Sequence, residues 1–289
     1  MPSLSSRLRF GVLGSDDAAV ADQAREAEDL GYDIFALSDH LHSSRPTVEP
    51  WTALTWAAAA TTDLTVLSDV LGLPYRDPPV LAKMAETLAL LSNGRLILGL
   101  GNGGYDPEFR AFGLTVRSPG AKVAALGEAI QILRLLWQGS ETTWQGEHFR
   151  LEAARITPPA GPIPIWVGAY GPKSLAQTGA LADGWLPSMQ RLELDQATAM
   201  ADSVAAGARA AGRDPDDITQ ACNVQVDLDP HRPTSRHVLS GPIEEIAQQL
   251  SAIAARGFGT FVVAGLDDSR ARRRFADEVV PLVRPETSR

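Results

Sequence analysis

The sequence predicts one closed (β/α)8 barrel (a TIM barrel) spanning residues 1–289, with its working site at the C-terminal ends of the strands. Three observations predict it. Short apolar runs alternate with amphipathic stretches along the chain, the pattern of a parallel sheet covered by helices. The alternation repeats eight times. The 289 residues suit eight such units better than an open doubly wound sheet, which is the alternative architecture.

The elements follow in order. Apolar run 8–13 precedes helix 18–30, where Ala21, Ala24, Ala27 and Leu30 recur at helical spacing and Gly31 gives a stop. Run 33–37 precedes the alanine-rich helix 50–61, and run 64–68 precedes helix 77–91, opened by Asp77-Pro78-Pro79. Run 95–100 leads through a loop beginning at Asp106-Pro107 to helix 119–137. Runs 163–167, 185–187, 218–226 and 260–263 lead to helices 172–182, 192–211, 242–256 and 269–282. Two connections are long. Residues 139–162 read as a β-hairpin inserted before strand five, turning at Gln145-Gly146. Residues 228–240 form a long loop after strand seven, with Pro230, His231, Pro233, Arg236 and His237.

Composition narrows the function. Hydrophobic residues make up 44% and charged residues 21%, a globular composition. The net charge of −9 and pI near 5.1 give no footprint for nucleic acid and no attraction to anionic membranes. Arg270, Arg272, Arg273 and Arg274 read as the solvated face of the last helix. No secretory leader is visible at the start, and no apolar run reaches the roughly 18 residues of a membrane span. A cytoplasmic location is the expectation. The single Cys222 cannot form an internal disulfide and sits in a run that reads as buried strand.

Polar residues just after each strand should converge on one cavity. Strand two ends in Ser38-Asp39-His40, with His42 beyond; a carboxylate beside an imidazole suits proton traffic. Strand three ends in Ser68-Asp69, where Asp69 either faces the mouth or pairs structurally. Strand four ends in Gly99-Leu100-Gly101-Asn102-Gly103-Gly104-Tyr105. Its glycine spacing matches a dinucleotide fingerprint, but the required first-strand context is missing. These glycines instead let a flat ligand approach the backbone, and Glu108 follows within reach. Strand five ends in Gly168-Ala169-Tyr170-Gly171, and Pro172-Lys173-Ser174 opens a helix, a natural site for an anion. Ser188 and Gln190 after strand six, and Gln225 and Asp227 in strand seven, are weaker candidates. The histidines match no metal-ligand spacing, so no metal site is assigned.

Taken together, four segments resemble the bacterial luciferase-like monooxygenase superfamily of flavin- and deazaflavin-dependent barrels. They are residues 35–41 (FALSDHL); 76–83 (RDPPVLAK) with 88–91; 94–101 (GRLILGLG) with Glu108-Phe109 and Ala111-Phe112-Gly113; and 164–169 (PIWVGA) with 182–185 (ADGW). The resemblance runs from about residue 30 to 190 and fades beyond 195. It implies the barrel, a homodimer, and a redox cofactor whose ring sits at the strand ends. By position, Asp39 and His40 would lie near the ring. Ser68 and Asp69 would flank a non-prolyl cis peptide supporting it. Asn102, Gly103 and Gly104 would border the pyrimidine side. Gly168, Ala169, Tyr170, Gly171, Lys173 and Ser174 would hold the phosphate. The acid–base role falls to His40, Glu108 or Asp69, or to none of them, and Asp39 beside His40 is a further catalytic candidate.

The superfamily divides between coenzyme F420 with hydride transfer and reduced FMN with oxygen, the latter served by a flavin reductase partner. The Ser-Asp-His strand end and the Gly-Ala-Tyr-Gly-Pro turn resemble the F420 branch. A non-redox barrel binding a phosphate ligand is the other reading. Two departures weigh against glucose 6-phosphate as substrate: Leu41-His42-Ser43-Ser44 lacks the tryptophan of the sugar-phosphate dehydrogenases, and Gly104 stands in place of their glutamate.

Overall fold

The structure is a computed structural model that describes residues 8–15, 19–44, 47–232, 235 and 237–284. The stretch before residue 8, the expected helix start at Ala18, and Pro233 and Arg236 of the long loop lie outside the described residues. The strands are β1 (Arg9–Leu13), β2 (Ile34–Leu37), β3 (Thr65–Ser68), β4 (Leu71–Gly72), β5 (Leu96–Gly101), β6 (Thr142–Gln145), β7 (Arg150–Ala154), β8 (Ile165–Val167), β9 (Gly184–Trp185), β10 (Thr219–Asp227), β11 (Leu239–Ser240) and β12 (Thr260–Ala264). The helices are α1 (Val20–Asp29), α2 (Pro50–Ala60), α3 (Pro78–Leu91), α4 (Asp106–Ala111), α5 (Pro119–Trp137), α6 (Pro172–Leu181), α7 (Leu194–Ala210), α8 (Ile243–Ala254), α9 (Ser269–Arg274) and α10 (Val280–Val283).

Eight parallel strands close a ring in the order β1–β2–β3–β5–β8–β9–β10–β12 and back to β1. The expected (β/α)8 barrel is what the chain forms. Strand periodicity explains how both faces are buried. Ile34 and Ala36 of β2 point inward to Leu67, Ile97, Trp166, Leu186, Ala221 and Val262, which fill the barrel. Phe35 and Leu37 point outward, into the larger core beneath the helices. Each large apolar side chain so buried contributes about 1.5–3 kcal/mol. Cys222 is fully buried in β10, and burial pushes its thiol well above the ordinary range, as a core residue requires.

Proline opens α2, α3, α5 and α6, where its missing N–H costs nothing. The Glu49 side chain caps α2 by accepting from Trp51 N at 3.1 Å and Thr52 N at 2.7 Å. The expected hairpin is present: β6 and β7 pair antiparallel, with Gln145 opposite Arg150. After β10, the long loop returns through β11, which adds parallel to β10 outside the ring.

Three expectations are corrected. Residues 106–111 are not plain loop but the short helix α4, begun by Pro107 in its first turn. The last helix is not continuous, because a π-helical turn at Phe275–Val279 separates α9 from α10. Arg272 is not solvated. Its guanidinium is buried against Glu26 of α1 at 2.7 Å and donates to Leu266 O at 3.2 Å, because α9 packs on α1. Among the described residues, no helix is long and apolar enough to cross a membrane.

Candidate active site

Loops after β2, β3, β5, β8 and β9 gather at the C-terminal rim, as their mutual contacts show. His40, just beyond β2, places Nδ1 2.8 Å from Glu108 Oε1. Glu108 comes from α4, beyond β5. The imidazole is 61% exposed at the mouth, whereas the carboxylate is only 5% exposed. A carboxylate accepts, so Nδ1 carries the proton and Nε2 is the nitrogen left to exchange one. Tyr75, from the 3-10 turn at Leu73–Tyr75, donates its hydroxyl to the other oxygen, Glu108 Oε2, at 3.0 Å. Burial first, then the neighbouring Glu108, pushes the Tyr75 hydroxyl well above its ordinary range, so it remains a donor.

Asp39 has a different fate. Its carboxyl is fully buried and accepts from Gly72 N at 2.8 Å and from Arg76 at 3.0 and 3.3 Å. Arg76 also pairs with Glu49. Burial raises the Asp39 carboxyl above its usual range, against the lowering effect of Arg76 and the Gly72 N–H. Asp39 therefore anchors the loop after β3 instead of presenting a carboxylate to the cavity.

Ser68 is fully buried as well. It donates to Gly99 O at 3.0 Å and accepts from Gly99 N at 2.9 Å, tying β3 to β5. A Cβ on Gly99 would stand 1.8 Å from Ser68 O, so only glycine permits this approach. Asp69 accepts from Asn223 Nδ2 of β10 at 2.9 Å, across the barrel neck. Burial pushes its carboxyl up to about 6, partly opposed by that hydrogen bond. A non-prolyl cis peptide is present, but it joins Asp69 to Val70, one bond beyond the expected Ser68–Asp69 link.

Beyond β5, Asn102 shares a recess with Leu73, Pro74, Arg117 and Lys122. Gly103 turns the chain at φ +78°, and its carbonyl accepts from Lys122 Nζ at 2.7 Å. Beyond β8, Gly168 N donates to Leu100 O at 3.1 Å, and Ala169 O accepts from the Trp185 indole at 2.9 Å. The Tyr170 hydroxyl accepts from Ser188 N at 2.8 Å, and Arg191 lies 5.8 Å from its ring centre. Gly171 precedes α6, with Lys173 exposed and the Ser174 hydroxyl buried without a hydrogen-bond partner among the described residues. At Gly104 and Gly171 a Cβ would meet nothing within 4 Å. Open glycine backbone, a helix N-terminus and an orphaned hydroxyl fit a phosphate-bearing ligand.

The structure thus joins His40 to Glu108 and gathers the Gly168–Ser174 turn at the start of α6. It withdraws Asp39 and Ser68 into structural contacts. Sequence reading missed Tyr75, Arg76 and Asn223, which hold Glu108, Asp39 and Asp69 respectively.

The sequence profile of luciferase-like monooxygenases matches residues 11–233, most of the chain. The protein belongs to the luciferase-like monooxygenase family. Two curated relatives carry F420-dependent names. The chain is 30% identical over 285 residues to the F420-dependent glucose-6-phosphate dehydrogenase of Nakamurella multipartita, covering 94% of this chain and 80% of that one. It is 34% identical over 198 residues to the F420-dependent hydroxymycolic acid dehydrogenase of Mycobacterium tuberculosis, covering 66% of this chain and 54% of that one. Among solved structures, an F420-dependent secondary alcohol dehydrogenase in complex with an F420-acetone adduct superposes with a TM-score of 0.87 at 20% identity. That match covers 96% of this chain and 100% of that one. At such identity the last likeness speaks for the barrel fold alone.

Proposed function

We propose that this chain is a coenzyme F420-dependent oxidoreductase that moves a hydride between the deazaflavin and a small organic substrate. The observation that carries the reading is the His40–Glu108 contact of 2.8 Å at the barrel mouth; the phosphate-type turn at the start of α6, beyond β8, supports it. The F420-dependent names of both sequence relatives support it. When bound, the deazaflavin supplies the redox chemistry. Gly168, Ala169, Tyr170, Gly171, Lys173 and Ser174 hold its phosphate, and Asn102, Gly103, Gly104 and Asp69 border its ring. His40 gives or takes the substrate proton through Nε2. Glu108 fixes the ring tautomer and steadies the imidazolium. Asp39 acts at one remove, by locking the loop that carries Tyr75. Glucose 6-phosphate is not the substrate we propose, because Gly104 and residues 41–44 leave out the acid and tryptophan expected for it.

We further propose that residues 1–289 act as one unit and that two copies pair through α2 and α3. Trp51, Val80, Met84, Leu88 and Leu91 line a groove there together with the polar Thr55, Lys83 and Thr87, and Val80 and Leu91 are more than half exposed. An apolar face of this kind suits a second copy of itself.

Titration with F420 and, separately, with FMN, followed by ligand fluorescence, tests the cofactor. Saturable F420 binding with weak FMN binding is expected. Preference for FMN overturns the cofactor, and binding of neither overturns the redox reading. With F420 bound, His40→Ala should lower turnover by about 10²–10⁴-fold while leaving cofactor affinity near its starting value. Unchanged turnover removes His40 from the chemistry.

A further inference from the structure

Tyr75 lies outside every motif that led to the site, yet its position is fixed from three sides. Its ring packs on Phe109 at 4.8 Å and edge-on to Phe112 at 6.2 Å. Its backbone belongs to the turn that leads into Arg76, which Asp39 holds. Its hydroxyl reaches the buried oxygen of Glu108 that His40 does not use. We infer that Tyr75 is a positioning residue for the proton-transfer pair: it fixes the Glu108 carboxylate so that Oε1 faces the His40 ring. The inference rests on the assignment of His40 and Glu108 made above, but its test does not require cofactor or substrate.

The physical argument is one of partition. A carboxylate this buried needs donors at both oxygens, and an orphaned oxygen costs more than a hydrogen bond gains. With Tyr75 on Oε2, the carboxylate is held at both oxygens and cannot rotate away from His40. The hydroxyl also shares the charge of the carboxylate, so its removal leaves more of that charge to face the His40 ring. The charged and titratable groups that face Tyr75 are Glu108, Asp39 and Arg76. His40 joins them through Glu108, and His42 packs edge-on to Phe112 at 6.1 Å. Asp39 and Arg76 are paired with each other, so the hydroxyl of Tyr75 acts on Glu108.

Tyr75→Phe keeps both ring contacts and removes only the hydroxyl. The test is an NMR pH titration of the His40 ring in the cofactor-free protein, with its signal assigned by loss in His40→Gln. The expected result is an upward shift of the His40 midpoint by about 0.5–1 pH unit in Tyr75→Phe. The shift should disappear when Tyr75→Phe is made in a Glu108→Gln background. An unchanged midpoint overturns the inference, and so does an equal shift in the Glu108→Gln background, since the effect would then bypass Glu108. Failure of F420 to bind would leave this titration untouched and count against the proposed cofactor alone.

Discussion

At the scale of single residues, the site separates carboxylates that serve the fold from those offered to chemistry. Asp39 and Arg76 form a buried pair, in which the charge of each is held by the other. Arg76→Ala would strand the Asp39 carboxyl, and we expect a loss of about 3 kcal/mol in chemical denaturation. Asp69 is raised by burial as well, but the group that opposes the shift is the neutral Asn223 amide and not a cation. Its carboxyl binds the proton more tightly in the folded state, at about 6 against an ordinary 3.8. The stability it contributes is therefore complete below pH 3.8, falls as pH rises through 6, and is absent above that. Asp69→Asn should flatten stability across this window and raise it at pH 7 by at most about 3 kcal/mol, measured by denaturation at several pH values. The partners of these acids were hidden in the sequence for a physical reason. Asn223 lies 154 positions from Asp69 and in the middle of a strand, so only ring closure brings them together. Tyr75 carried no signal beyond one aromatic residue in a turn.

At the scale of elements, the eight alternations were legible because most ring strands are short apolar runs and most of the segments between them carry apolar residues at helical spacing. Expected and observed strands agree within two residues at their ends. α4 was missed because six residues are too few to display a helical period. The π turn was missed because one extra residue per turn barely disturbs that period. The inserted hairpin shows how a connection is held without a core of its own. Glu128 on α5 accepts from the N–H groups of Glu147, His148 and Phe149, and from the Trp144 indole, at 2.9–3.3 Å. Burial alone would raise its carboxyl, but these donors hold it below the usual range. Glu128→Ala should cost about 1–3 kcal/mol and speed amide exchange at residues 147–149, read by hydrogen-exchange mass spectrometry.

At the scale of the whole molecule, the α2–α3 face predicts the assembly. Val80 and Leu91, which line its groove, are 58% and 70% exposed. Light scattering should give twice the chain mass, and Leu91→Glu should lower it toward one chain; a single-chain mass for the unaltered protein removes the proposed pairing. The two parts of the proposed proton pair have unequal roots in this architecture. His40 stands in the loop that directly follows β2, whereas Glu108 rides on α4, a short piece spliced between β5 and α5 and held by Lys122, which bonds Gly103 O and Asp106. Insertions, deletions or exchanges confined to residues 102–117 would thus replace the carboxylate while sparing every stave of the barrel. Descendants of such a protein inherit a chassis that is hard to alter and a reactive attachment that is easy to trade.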